Sequence, residues 1–165
     1  MTEYDYWKIF PRMPKKVTLG DITVRDGFQH LEKFISTRAK IFYAEEMIFA
    51  GCRNLEVTNL GNPYLMPQFS DAEDVLAHLR SDRFKKRCEK KGINYDDICV
   101  TAVTIREKAV ERAIELKDKG VGPDRCLMMV STEEEHHFAN SGTTLPDYWR
   151  ECERAIKKCR DAGLK

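Results

Sequence analysis

Residues 17–29 read VTLGDITVRDGFQ, an alternating, β-branched run that ends on an adjacent cation and carboxylate, then a glycine, an aromatic ring and an amide. The alternation predicts a strand from Val17 to Val24. A strand aimed into a core does not usually finish this way. Arg25 and Asp26 would lie where its carboxyl end meets solvent, and the remainder of the chain decides whether they form a turn or a site.

Beyond Gln29 the chain repeats two periodicities. A helix is expected over 36–50, with Ile41, Ala44 and Ile48 on one face and Gly51 as its stop. Asn54 to Thr58 (NLEVT) reads as a second strand. A loop holding Gly61, Asn62, Pro63 and Pro67 leads to Ser70-Asp-Ala-Glu73, a capping box for a charged helix that runs toward Gly92 with a break near Ser81. Ile98 to Val103 is a third strand and 106–119 a third helix ending at Gly120. Cys126 to Val130 is a fourth strand, followed by a polar loop, STEEEHHFANSGTT. Thr144 and Asp147 then cap a fourth helix that runs to Gly163.

Strands alternating with helices imply an α/β fold built of parallel βα units, in one domain over 17–165 behind a polar lead-in over 1–16. An open doubly wound sheet and the first four units of a (β/α)8 barrel both use such units.

Composition narrows the function classes. The chain has 165 residues, enough for one core, and its 28 basic and 27 acidic side chains nearly cancel. No overall field recruits nucleic acid or an anionic membrane. No apolar run approaches the roughly 18 residues of a spanning helix, and the N-terminus lacks a secretory apolar region. A cytoplasmic protein is expected. Cys52, Cys88, Cys99, Cys126, Cys152 and Cys159 form no C-x-x-C pair, so they read as reduced packing thiols without zinc spacing.

In either parallel architecture, ligands bind at the carboxyl ends of the strands. The loops there begin at Arg25-Asp26-Gly27, at Glu56-Val57-Thr58-Asn59, near Val103-Thr104, and at Ser131-Thr132-Glu133-Glu134. Convergence of Arg25, Asp26 and Glu56 on one rim would be more than solvent polarity. An aspartate there offers hard oxygen to a divalent cation, and an adjacent arginine offers fixed charge to a developing oxyanion.

These residues also carry a resemblance. VRDGFQ, followed by STRAKI, AGCRNLEVTNLGNP and MPQFSD, resembles the metal-dependent (β/α)8 barrel lyases related to 3-hydroxy-3-methylglutaryl-CoA lyase, within the pyruvate carboxyltransferase or DRE-TIM metallolyase superfamily. STEEEHHFAN at 131–140 is similar to a further family segment, so the likeness spans nearly the whole chain. It implies the N-terminal half of a TIM barrel. It also implies a divalent metal, Mg2+ or Mn2+ with Zn2+ as an alternative, held in part by Asp26. Arg25 would stabilise the enolate oxygen, Glu56 would orient Arg25 or an acidic substrate, and Gln29, Asn59 and His136 would contact substrate.

The implied activity is carbon–carbon bond cleavage of a 3-hydroxyacyl-CoA, or a related hydroxy or 2-oxo acid, by retro-aldol chemistry through an enolate. A carboxyltransferase or an acetyl-CoA-condensing synthase is the alternative within the superfamily. A non-catalytic half-barrel serving binding or assembly is the alternative outside it. Expected partners are a small-molecule acyl-CoA or acid substrate and either a second copy or the remainder of the barrel. The chain departs from the family pattern in places: G-D-I-T precedes V-R-D, the third strand ends Ala102-Val103-Thr104 where the lyases carry proline and asparagine, and His30, His78, His136 and His137 do not form the family's His-x-His metal pair.

Overall fold

The computed structural model describes residue 14 and residues 16–165, so the lead-in expected over 1–16 lies for the most part outside the described residues. Three parallel strands form the sheet in the order β1-β2-β3: β1 (Asn54–Asn59), β2 (Cys99–Val103) and β3 (Arg125–Leu127). The β1–β2 register runs from Asn54 opposite Cys99 to Asn59 opposite Val103, with a bulge between Glu56 and Thr58. The bulge leaves four successive residues, Val57 to Leu60, buried and re-aims the end of β1.

Helices cover the sheet. Helix α1 (Thr37–Phe49) is capped by Ser36, whose hydroxyl accepts from the Ala39 amide, and ends at Gly51, which adopts φ 110°. Ala44 and Ile48 are fully buried on its inner face, while Ile41 is only partly so. Helices α2 (Ala72–Arg80) and α3 (Asp82–Lys90) are divided at Ser81, as expected, because its hydroxyl caps the second of them through the Phe84 amide. Helix α4 (Glu107–Asp118) follows β2, and α5 (Glu134–Ser141) and α6 (Leu145–Asp161) follow β3. Leu55, Val57, Val100 and Ala102 of the sheet pack with Ile48, Leu76, Leu79, Val110, Leu116 and Ala155 in one core. All six cysteines are unbridged.

The expected first strand is reduced to a single parallel bridge, Asp21 opposite Leu55. The Asp21 amide donates to the Asn54 carbonyl and the Asp21 carbonyl accepts from the Glu56 amide, both at 2.9 Å. Beyond it the Asp21 carboxylate accepts from the Thr23 amide at 2.9 Å and the Thr23 hydroxyl at 3.0 Å, an Asx-type turn that bends the chain out of extension. Val17 and Leu19, at the start of the expected strand, are exposed. Thr23–Gly27 then winds as one π-helical turn, with the amides of Arg25, Asp26 and Gly27 all directed at the Ile22 carbonyl.

Three further expectations are corrected. Helix α2 opens at Asp71 without the Ser70–Glu73 capping box, because Lys40 takes the Asp71 carboxylate and Arg112 takes Glu73. The fourth strand is Arg125–Leu127, not Cys126–Val130, because the Met129 carbonyl is satisfied by the Tyr148 hydroxyl instead of a neighbouring strand. The polar loop 131–144 contains α5, whose first turn is capped by the Glu133 carboxylate through the Glu135 and His136 amides. At the other edge of β3, the Cys126 amide donates to the Lys165 carbonyl and the Lys165 amide to the Asp124 carbonyl, a parallel pairing.

Candidate functional site

The π-turn is what delivers the site. Three amides sharing one carbonyl make a wider turn than an α-helix, and such turns recur at functional positions. Here the turn points Arg25 inward, at 4% exposure, while Asp26 beside it keeps a side chain that is 43% exposed. Val24, just before them, is wholly buried and anchors the turn in the core.

Four side chains surround the guanidinium. Arg25 Nη1 bonds Asp26 Oδ1 and approaches Gln29 Oε1 at 3.5 Å. Its Nε lies 3.3 Å from Glu56 Oε2 on β1, and its Nη2 donates to Met129 Sδ at 3.1 Å. A buried guanidinium is tolerated when paired in this way, since removing its partners would leave an uncompensated charge. One cation faces two carboxylates, so the cluster carries net negative charge and suits a second cation.

The cluster gathers Arg25, Asp26, Gln29 and Glu56 of the expected site residues. It does not gather the rest. Asn59 is buried at the end of β1, where its Oδ1 accepts the Gly61 amide at 2.8 Å and its Nδ2 donates to Met66 Sδ at 3.0 Å. Its side chain therefore shapes the loop after β1. His136 stands exposed on the first turn of α5. His137, its neighbour, is buried, with Nε2 3.0 Å from the Ser141 hydroxyl and its ring 4.6 Å from that of Tyr148.

Sequence reasoning missed the framework around this cluster. Lys40, wholly buried in α1, donates from Nζ to the Gln68 carbonyl and to Asp71 Oδ1 at 2.7 Å. The Gln68 side-chain amide in turn accepts from the Ile35 amide at 2.8 Å and donates to the Leu31 and Lys33 carbonyls at 3.1 and 3.0 Å. The two rim loops are thereby locked together across a cavity of about 370 Å3 lined by Gln29, Leu31, Phe34, Leu65, Met66 and Phe69. The signal was available: Lys40 lies four residues before Ala44 and eight before Ile48, on the apolar face of the helix. Met129 and Tyr148 gave no such signal, since both look like ordinary core residues.

The residues fit a divalent cation only in part. Asp26 offers one exposed hard carboxylate, but among the described residues no three His, Cys, Asp or Glu side chains converge on a possible metal position. A complete centre would draw its other ligands from elsewhere.

No protein-family model matches the chain. The hydroxymethylglutaryl-CoA lyase YngG of Bacillus subtilis is 30% identical over 127 residues, covering 77% of this chain and 36% of that protein. The human mitochondrial hydroxymethylglutaryl-CoA lyase is 30% identical over 152 residues, covering 92% of this chain and 41% of that protein. The chain is a homologue of the hydroxymethylglutaryl-CoA lyases. It spans less than half the length of these lyases.

Solved lyase structures share the fold. The Bacillus subtilis HMG-CoA lyase superposes with a TM-score of 0.74 at 24% identity, over 92% of this chain and 45% of that one. An HMG-CoA lyase from Acinetobacter baumannii, in complex with coenzyme A and 3-methylmalate, gives 0.72 at 18% identity, over 89% and 42%. The parallel strands and flanking helices described above thus match part of the TIM barrel of these structures, and the open doubly wound sheet is set aside. Among the described residues no helix is long and apolar enough to cross a membrane.

Proposed function

We propose that this chain carries part of the active site of a divalent-metal-dependent carbon–carbon lyase that cleaves a 3-hydroxyacyl-CoA. The observation that carries the proposal is the buried Arg25 guanidinium, aimed from a π-turn at the sheet's carboxyl end and held by Asp26, Gln29 and Glu56. Homology to hydroxymethylglutaryl-CoA lyases supports the reaction class, and a structural neighbour holding coenzyme A and 3-methylmalate supports a thioester or hydroxy-acid ligand.

In such a cleavage the 3-hydroxyl proton passes to a general base and that carbon becomes a carbonyl. The electrons of the breaking carbon–carbon bond move onto the departing fragment as an enolate, which is later protonated. Charge therefore develops on an enolate oxygen. A fixed guanidinium in a water-poor site stabilises it without reorganising at the moment of reaction. Arg25 takes that role here, and Glu56 holds its Nε side. Gln29, half-buried beside the cavity and 3.5 Å from Arg25, would contact substrate, whereas Asn59 is committed to the loop after β1 and His136 stands outside the cluster. A divalent cation, Mg2+ or Mn2+, would polarise the substrate's hydroxyl and carbonyl oxygens when bound, with Asp26 as one of its ligands. The unpaired thiols suit a reducing compartment, and a cytoplasmic location is part of the same reading.

The test is an activity panel on the whole protein: 3-hydroxyacyl-CoA thioesters, hydroxy acids and 2-oxo acids, with Mg2+ or Mn2+, assayed for both cleavage and condensation. Metal-dependent release of an acyl-CoA and a keto acid is the expected result. Condensation of acetyl-CoA with a 2-oxo acid would assign the synthase alternative. No turnover in either direction would leave the half-barrel as a binding or assembly module.

A further inference from the structure

We propose that Met129 and Tyr148 are positioning residues for Arg25, with the methionine sulfur orienting the guanidinium and the tyrosine hydroxyl holding the methionine in place. The inference rests on the enolate role of Arg25 and names the device that keeps that group aimed.

The contacts run in series. Arg25 Nη2 donates to Met129 Sδ at 3.1 Å across 104 residues of sequence. Met129 lies just past β3, where the backbone has left the sheet, and among the described residues no strand neighbour fixes it. Its carbonyl accepts instead from the Tyr148 hydroxyl at 3.0 Å, and the same hydroxyl lies 2.7 Å from the Ile105 carbonyl in the loop after β2. Tyr148 is wholly buried in α6. Burial pushes its hydroxyl well above the usual phenol range, so it keeps its one proton, which the two carbonyls share. His137 packs on its ring at 4.6 Å. One side chain thus pins the ends of two rim loops, and one of those loops reaches back to the site.

The chemistry of the sulfur matters. Asp26 and Glu56 already set two carboxylates against one guanidinium. A third carboxylate would suppress the positive charge that an oxyanion needs. A thioether is a weak, neutral acceptor: it orients Nη2 and adds no negative charge.

The experiment uses the whole protein with Met129→Leu, Met129→Gln, Met129→Glu, Tyr148→Phe and the Met129→Leu/Tyr148→Phe pair. Met129→Leu and Tyr148→Phe are each expected to lower kcat about tenfold with KM within about twofold, the pattern of an interaction used in the transition state. Met129→Gln, a neutral acceptor of similar reach, should stay within about threefold of the parent, and Met129→Glu should fall below Met129→Leu. The double variant should be no worse than the poorer single, because both changes break one link.

Additive losses, or an unchanged kcat in both single variants, would overturn the proposal. A second measurement does not depend on turnover. With 13C-methyl methionine, the Met129 resonance should move in Arg25→Lys and in Tyr148→Phe. If the protein cleaves no thioester, the functional reading fails and the methyl resonance alone decides: a Met129 signal unmoved in both variants would overturn the positioning role.

Discussion

Lys40→Met is the perturbation whose cost can be worked most directly from the structure. The lysine side chain is 1% exposed and its partner Asp71 9%. Among the described residues Asp71 Oδ2 is buried without a hydrogen-bond partner, so Lys40 is its charge compensation through the other oxygen. Removing the ammonium strands a buried carboxylate and deprives the Gln68 carbonyl of its donor. Breaking a buried pair by deleting one member costs about 3–5 kcal/mol. Set against a urea m-value of about 2 kcal/mol/M, that is a midpoint lowered by about 1.5–2.5 M. Lys40→Met/Asp71→Asn removes the stranded charge and should recover about 2 kcal/mol of the loss, since the two changes remove one shared interaction. Equilibrium urea denaturation followed by far-UV circular dichroism gives both numbers. A Lys40→Met loss under about 1 kcal/mol, or a double variant as unstable as the sum of the singles, would show that the pair is solvated and does not lock the rim.

Other expectations rest on the same contacts. Asp26→Asn should weaken Mg2+ or Mn2+ dependence and turnover in the whole protein while leaving its unfolding midpoint within error, as titration calorimetry and denaturation together would show. Arg25→Lys should lower turnover at least tenfold, because a point charge cannot serve Asp26, Glu56 and Met129 at once as a planar fork does. Lys158 and then Arg154 hold the Glu107 carboxyl below its ordinary range. Its folded value is depressed, so its contribution to stability is present above the ordinary carboxylate range and is lost as pH falls through the folded value. Glu107→Gln should therefore flatten the acid limb of a Tm-against-pH curve and leave the neutral-to-alkaline part parallel to the parent. Burial raises the Cys126 thiol to about 12, so iodoacetamide at pH 8 should leave it unmodified until denaturant is added, as peptide mass mapping would reveal.

How much of this was legible in the chain depends on which physical signal carried it. Periodicity found the helices, because Ala44 and Ile48, or Ala113 and Leu116, recur at helical spacing and are buried. It failed at Val17–Val24, where alternation of β-branched residues was outweighed by two hydrogen bonds from Thr23 to the Asp21 carboxylate. Turn chemistry operates at the scale of two residues, and a window wide enough to see alternation averages it away. It failed again at 131–144, where a helix of low apolar content is started by the Glu133 carboxylate. The pairing of Arg25 with Asp26 and Glu56 was readable because strand ends of a parallel sheet share a rim. The contact with Met129 was not, since nothing in a methionine distinguishes a sulfur that meets a guanidinium from one that fills a gap.

The corrected first strand changes how the site must be understood. A full strand would have held the backbone by pairing as far as Val24, next to Arg25. Here only Asp21 pairs, and the residues after it are held by their contacts: Val24 in the core, three amides on one carbonyl, and a guanidinium shared among Asp26, Gln29, Glu56 and Met129. Arg25 is therefore both a constituent of the fold and the group proposed to meet the enolate. Asp26 has a matching double commitment, because the oxygen that bonds Arg25 neutralises charge that the reaction would use. A divalent cation bound at Asp26 would draw electron density from that carboxylate and weaken its hold on the guanidinium. Cation binding and the electrostatic strength of Arg25 are then coupled through one side chain. Substitution of Asp26 should accordingly alter the salt and metal dependence of anion binding at Arg25, and not merely remove a ligand.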